Sequence, residues 1–389
     1  MVAAAALIII GLRIPGPLTV DVGTFLCILL APCWWPSLRR YQGASPVMAV
    51  ALLAIASGIW LTAYSSPDHV SSLSRTLTVS LAMFGIAGGM GVVLWARDLM
   101  DDARVAQWFA VGLTLGISPD SSQFSANPWK FGFSLAISVL TLALAQRIGK
   151  RWLELVVLLA LAGISAVSDA RSAFAILLLA ALLVVWQLRP SAVRRRQSAL
   201  TVLIGTGIAA AVVFNVGQAA ILDGYLGEET QARSVEQLDT SGSLLVGGRP
   251  ELGATAALMA HHPLGFGSGV IPNGADMSVA KQGMAALGYD PNNNYVEKYL
   301  LGGGFELHSL IGDFWANFGI PGLALAGLML VLMIWGLARS VGASAASAVL
   351  LYVVIRTLWN LPFGPLYSSA TLTAFALGLV LLRRNARPT

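Results

Sequence analysis

The sequence predicts an all-α polytopic membrane protein of about twelve transmembrane helices, with a large, partly helical extracytoplasmic loop before the tenth. Three observations carry that fold class. Hydrophobic residues make up 56% of the 389 residues and charged residues 11%, against roughly 45–50% and about 25% in soluble globular chains. Apolar runs approaching the roughly 20 helical residues that cross a bilayer core of about 30 Å recur from end to end. The cations punctuate those runs, as topology signals do. Together these exclude a soluble enzyme on a membrane tether, a disordered chain, and a β-barrel, whose strands alternate polar and apolar residues at every second position.

In chain order the apolar runs lie near 2–12, 18–36, 45–64, 77–96, 105–117, 131–147, 153–168, 171–188, 199–217, 309–336, 342–358 and 367–382. The first and fifth are short for a full crossing. Met1 to Gly11 has neither a basic n-region nor an A-x-A site, so it reads as a retained first span and not as a signal peptide. The second run holds the two cysteines, Cys27 and Cys33. Six helical residues separate them by about 9 Å, too far for a disulfide, and they read as small packing residues. The net charge of +5 and pI near 9.4 do not indicate nucleic acid, which requires basic residues clustered on a water-facing domain.

The connections alternate in charge. One side carries Arg39, Arg40, Arg97, Arg104, Arg147, Lys150, Arg151, Arg189, Arg194, Arg195, Arg196, Arg339, Arg383, Arg384 and Arg387, which is 15 of the 24 Lys and Arg. The positive-inside rule then puts both termini in the cytoplasm. The whole chain, 1–389, is read as a single integral-membrane domain. Within it, residues 218–308 form the one connection long enough to have its own structure, and the rule places it outside. It has four cations and ten acids, so it is partly solvated. ELGATAALMAHHP reads as a short amphipathic helix, and GFGSG, NGAD and DPNNN read as turns.

Charges at a membrane edge are expensive and are therefore functional candidates. Arg171, in SDARSAF, opens the eighth span with Asp169 two residues before it; a snorkelling arginine, or one paired with Asp169, is the plainer reading. Arg356, near the outer end of the eleventh span, reads as an interface anchor. Arg249 precedes the amphipathic helix in GGRPELG. After that helix, HHPLGFGSG contains His262 and the glycines Gly265, Gly267 and Gly269, taken as a tight turn with a weaker chance that its amides face an anion. His308 opens the tenth span in HSLIGDFWANFG, with Gly319 eleven residues on. An imidazole there suits general acid or base work as well as a structural place. The four histidines and two cysteines have no metal-ligand spacing, so no metal is expected.

The outer-edge SDAR arginine, GGR followed by HHPLGFGSG, and HSLIGDFWANFG together resemble the O-antigen ligase and polymerase superfamily. The last string fits that family's His, ten residues, Gly pattern at His308 and Gly319. The likeness in pattern covers residues 165–322 and departs at Ser309, where the family often has Asn. It implies a metal-independent, inverting glycosyltransferase of the bacterial cytoplasmic membrane, without cofactor. The donor would be a glycan on a polyprenyl diphosphate, and the acceptor a hydroxyl of a lipid, glycan or protein. His308 is then the expected base, Arg171 and Arg249 the diphosphate ligands, and Asp169, His262, Gly267 and Gly319 supporting candidates. Alternatives are a polymerase joining lipid-linked repeat units, a wall polymerase of the shape, elongation, division and sporulation type relying on an outer-loop carboxylate, and a lipid or solute transporter. A transporter commonly shows internal repeats and mid-depth polar residues, and here the polar residues fall at the outer face.

Overall fold

The computed structural model describes residues 1–188, 197–224, 227–241, 243 and 247–384. Arg189, Arg194, Arg195, Arg196 and Arg387 of the charge argument lie outside the described residues. The described chain is helical, with only isolated bridges and no strand. Its helices are α1 (Val2–Leu12), α2 (Val22–Leu29), α3 (Ala31–Trp34), α4 (Ala44–Tyr64), α5 (Leu73–Leu99) and α6 (Asp102–Leu115). Then come α7 (Ser122–Ala126), α8 (Ser134–Ile148), α9 (Arg151–Val167), α10 (Arg171–Gln187), α11 (Ala199–Leu222) and α12 (Glu228–Ser241). The last five are α13 (Glu251–His261), α14 (Gly274–Ala285), α15 (Leu310–Gly342), α16 (Ala348–Phe363) and α17 (Leu366–Val380).

Each apolar run of the sequence is occupied by helix, but length and composition qualify fewer as spans. Among the described residues five helices are long and apolar enough to cross a membrane: α4, α5, α8 with its preceding turn from Trp129, α11 and α15. A sixth is added if the pair Val22–Leu29 and Ala31–Arg39, bent by 64°, counts as one crossing. The bend falls at Leu30, with Pro32 in the next turn denying the helix a backbone donor. It also separates the two free cysteines, leaving Cys27 buried and Cys33 exposed, so only Cys27 is a packing residue.

The starts of the helices obey local rules. Ser72, Asp101, Ser198, Ser309 and Ser347 each accept a backbone N–H of the first turn. NGAD is a correction: it is not a turn but the start of α14, where Asn273 and Asp276 form a reciprocal capping box. Packing then builds two cores. The larger joins the apolar helices, with α5 against α17 and α4 against α15. The smaller lies within the 218–308 connection, where Leu258, Phe266, Met284, Leu300 and Phe305 close over Trp315 and Ala316 of α15.

Polar contacts sort the connections into two ends. At one, Asp98 faces Arg40 and Arg383, Arg97 binds Asp102, and Arg147 donates to Gln107. At the other, Ser71 pairs with Val270, Thr78 reaches Leu18 O, and Asp313 joins Leu307 to Leu366.

One device couples the smaller core to the bundle. Within α15, Gly319 sits at φ 65, ψ −145, and Pro321 cannot donate to the Asn317 carbonyl, so the helix kinks. The Ala316 carbonyl next to that break accepts the Phe266 and Gly267 amides at 2.8 and 3.0 Å, and Ser57 donates to the Phe318 carbonyl at 2.9 Å.

Candidate functional site

His308 is not on the helix. It lies one residue before the N-cap, with α15 beginning at Leu310 and the Ser309 hydroxyl accepting the Gly312 amide at 3.1 Å. Serine and asparagine are comparable N-caps, which gives the departure at Ser309 a physical reason. Burial alternates over 305–309: Phe305, Leu307 and Ser309 are buried while Glu306 and His308 are half-buried.

The His308 backbone is held at φ 51, a left-handed conformation unusual outside glycine. Its neighbours maintain it. Asp313 is 1% exposed and accepts the Leu307 amide at 2.6 Å and the Leu366 amide at 2.8 Å. Both carboxylate oxygens therefore anchor the chain on either side, and Asp313 acts as a brace.

The imidazole meets two residues from elsewhere in the 218–308 connection. Tyr295 Oη lies 2.9 Å from His308 Nδ1 and donates to Glu251 Oε1 at 2.6 Å. Glu251 Oε1 is itself 3.5 Å from Nδ1. The phenol has one proton, given to the carboxylate, so its oxygen accepts from Nδ1–H. That leaves the Nε2 lone pair as the basic site, on a side chain 27% exposed. Burial works to raise the Glu251 carboxyl, but hydrogen bonds from His308 and Tyr295 outweigh it and hold it below the ordinary glutamate range. Burial and the Glu251 charge push the Tyr295 phenol up, so it stays a donor.

Arg249, two residues before Glu251, extends over the Phe363 ring at the end of α16, 5.6 Å from its centroid. Its charge also acts on Tyr295. Arg249, Glu251, Tyr295 and His308 thus form one group, although 57 residues separate Glu251 from His308. Arg171 belongs to another place. It opens α10 and donates to Ser234 of α12 at 3.0 Å, docking that helix, while Asp169 makes the preceding turn at φ 48. His262 packs on Phe266 and His69 and lies 4.0 Å from Asp276. Arg356 donates to Tyr352 within α16.

The glycine loop is not an anion cradle. The amides of Phe266 and Gly267 go to Ala316 O, Ser268 to Gly58 O and Gly269 to Thr62 Oγ1. Gly267, at φ 119, has its backbone so close to α4 that a Cβ would stand 2.4 Å from Thr62 N. These glycines serve close approach, and Gly319 serves the kink.

Sequence reasoning missed Tyr295 and Glu251. Glu251 stands in the motif that singled out Arg249, but no periodicity links positions 251, 295 and 308. Comparison of the chain with protein-family models, with curated proteins and with solved structures returned no match.

Proposed function

We propose that this protein transfers a glycan from a polyprenyl diphosphate to an acceptor hydroxyl at the outer face of a bacterial cytoplasmic membrane, as the O-antigen ligase and polymerase superfamily that its sequence resembles does. The observation that carries the reading is the Glu251–Tyr295–His308 chain. It fixes the imidazole's tautomer and orientation and leaves Nε2 available as a base beside a cation, Arg249.

In this reading Nε2 takes the proton of the acceptor hydroxyl as that oxygen attacks the anomeric carbon from the face opposite the diphosphate. The carbon–oxygen bond to the diphosphate breaks, and the polyprenyl diphosphate leaves with the electron pair. Configuration inverts, and the proton resides on His308. Glu251 offsets the imidazolium charge, and Arg249 neutralises the leaving group, since a guanidinium fork matches phosphate oxygens. Arg171, which ties α12 to α10, acts on the same group only if donor binding draws α12 toward it. A finished glycan would pass to its acceptor as in a ligase.

The decisive experiment mixes purified protein with lipid-linked glycan and acceptor and asks whether free polyprenyl diphosphate appears. If none is released under conditions where the protein is folded, the reading fails. Turnover should survive chelation, because the charge work is assigned to arginine. Activity lost in EDTA and restored by Mg²⁺ or Mn²⁺ would overturn that assignment.

The proposed topology has twelve crossings, both termini in the cytoplasm and residues 218–308 outside. Shorter helices such as α10, α16 and α17 would cross with their flanking turns. In a background lacking Cys27 and Cys33, single cysteines at exposed Ser278 and Ala345 report on it. An impermeant reagent should label position 278 and not 345 in intact cells; the reverse pattern inverts the topology.

A further inference from the structure

Arg75 is a cation that neither the sequence motifs nor the His308 group uses. It lies in the first turn of α5, three residues after the N-cap Ser72. A positive side chain there opposes the helix dipole, which favours anions at an N-terminus. Packing holds it in place. Nη1 donates to the Gly303 carbonyl at 2.7 Å. The guanidinium also lies directly on Gly304, where a Cβ would stand 1.4 Å from Cζ.

The rest of the group is uncommitted. Nε and Nη2 are buried and have no hydrogen-bond partner among the described residues. Those two nitrogens define one edge of the planar group, the fork that meets two oxygens of a phosphate or carboxylate. A desolvated cation with that edge unused is costly until an anion takes it.

The edge belongs to the same region as His308. Asp313 binds the amides of Leu307 and Leu366 with its two oxygens. Glu306, His308 and Tyr367 are each the chain neighbour of one of those amides. Arg75 interacts electrostatically with Tyr367, Glu306 and Asp313. Tyr367 in turn lines a cavity of about 70 Å³ with Asp21, Thr24 and Thr371, between α2, α5 and α17. The cover on the guanidinium face is backbone without side chains, buried Gly304 continuing into exposed Gly302 and Gly303.

We propose that Arg75 binds the diphosphate of the lipid-linked donor, its Nε and Nη2 N–H groups taking two phosphate oxygens once the Gly302–Gly304 segment yields. The inference rests on the donor assigned above and adds a ligand from α5 to Arg249. The ligand chemistry is a polyprenyl-bound diphosphate. Inorganic diphosphate and the phosphate of an anionic lipid headgroup are the competing sources of the same oxygens.

The test is binding to the purified full chain in detergent, with farnesyl diphosphate, inorganic diphosphate and phosphatidylglycerol as separate probes. Arg75→Lys keeps the charge and loses the fork, and Gly304→Ala keeps every guanidinium atom but occupies the place where it lies. Both should weaken farnesyl diphosphate binding by about tenfold or more, with thermal stability measured alongside. Inorganic diphosphate and phosphatidylglycerol should bind more weakly to the unaltered chain and respond less to the substitutions. If the unaltered chain binds farnesyl diphosphate and both variants bind it equally well, the Arg75 contact is overturned while the proposed function stands. If phosphatidylglycerol alone responds to the substitutions, Arg75 is a headgroup anchor and the inference is overturned. If the unaltered chain does not bind farnesyl diphosphate, the donor reading itself falls, and this inference with it. Should Arg75→Lys lose its fold, Gly304→Ala decides alone.

Discussion

Replacing His308 by alanine is expected to lower the rate of glycan transfer by about 10²–10⁴-fold, the usual contribution of a positioned general base, while leaving donor affinity unchanged. The reason is geometric: Nδ1 is committed to Tyr295 and Glu251, and Nε2 is what remains for the acceptor hydroxyl. Glu251, which orients the ring with Tyr295, keeps its charge to lower pH than an ordinary glutamate. Its carboxyl is held below the ordinary glutamate value of about 4.3. A depressed carboxyl keeps its stabilising charge above the ordinary value and loses it only as pH drops through the lower folded value. Steady-state rates against pH for the unaltered chain, His308→Ala and Glu306→Gln decide the matter. Full turnover in His308→Ala, with turnover abolished in a folded Glu306→Gln, would show that the base is Glu306.

Gly267→Ala is expected to destabilise the protein by about 2–6 kcal/mol, the range for a strained positive φ combined with an overpacked contact. The glycine is at φ 119, and the added Cβ would meet the Thr62 backbone nitrogen at 2.4 Å. Backbone is on both sides of that contact, so no side chain can turn away to relieve it. Gly274→Ala is the matched control, with nothing within 4 Å of the added carbon, and should change stability by no more than about 1 kcal/mol. Denaturation of both variants in the same detergent reads the difference. Equal stability would mean that the Gly265–Gly269 loop is not clamped between α4 and α15, and the account of how the smaller core is coupled to the bundle would fail.

Much of the helical structure was legible because helix formation along an apolar run is a local matter. Composition excluded a soluble chain. The runs located the helices, and Ser72, Asp101, Ser198, Ser309 and Ser347 stand where capping rules put them. Where sequence reading fell short, distant contacts were the cause. GFGSG reads as a tight turn, but packing alone gives its amides their partners Ala316, Gly58 and Thr62. Asp313 has both of its oxygens on the amides of Leu307 and Leu366, a link no local pattern shows.

The sequence by itself determined the helical class, the apolar segments and the place of Arg249 just before a helix. These follow from hydropathy, spacing and capping, which act over a few residues. Only the tertiary structure decided that Glu251 and Tyr295 hold His308, that Arg171 docks α12, and that Arg75 lies against Gly304 with its fork unused. Hydrogen bonds and close approaches between residues separated by 13 to more than 200 positions depend on how whole segments pack. That packing rests on dispersion and shape, summed over many side chains, and no short pattern in the chain encodes it.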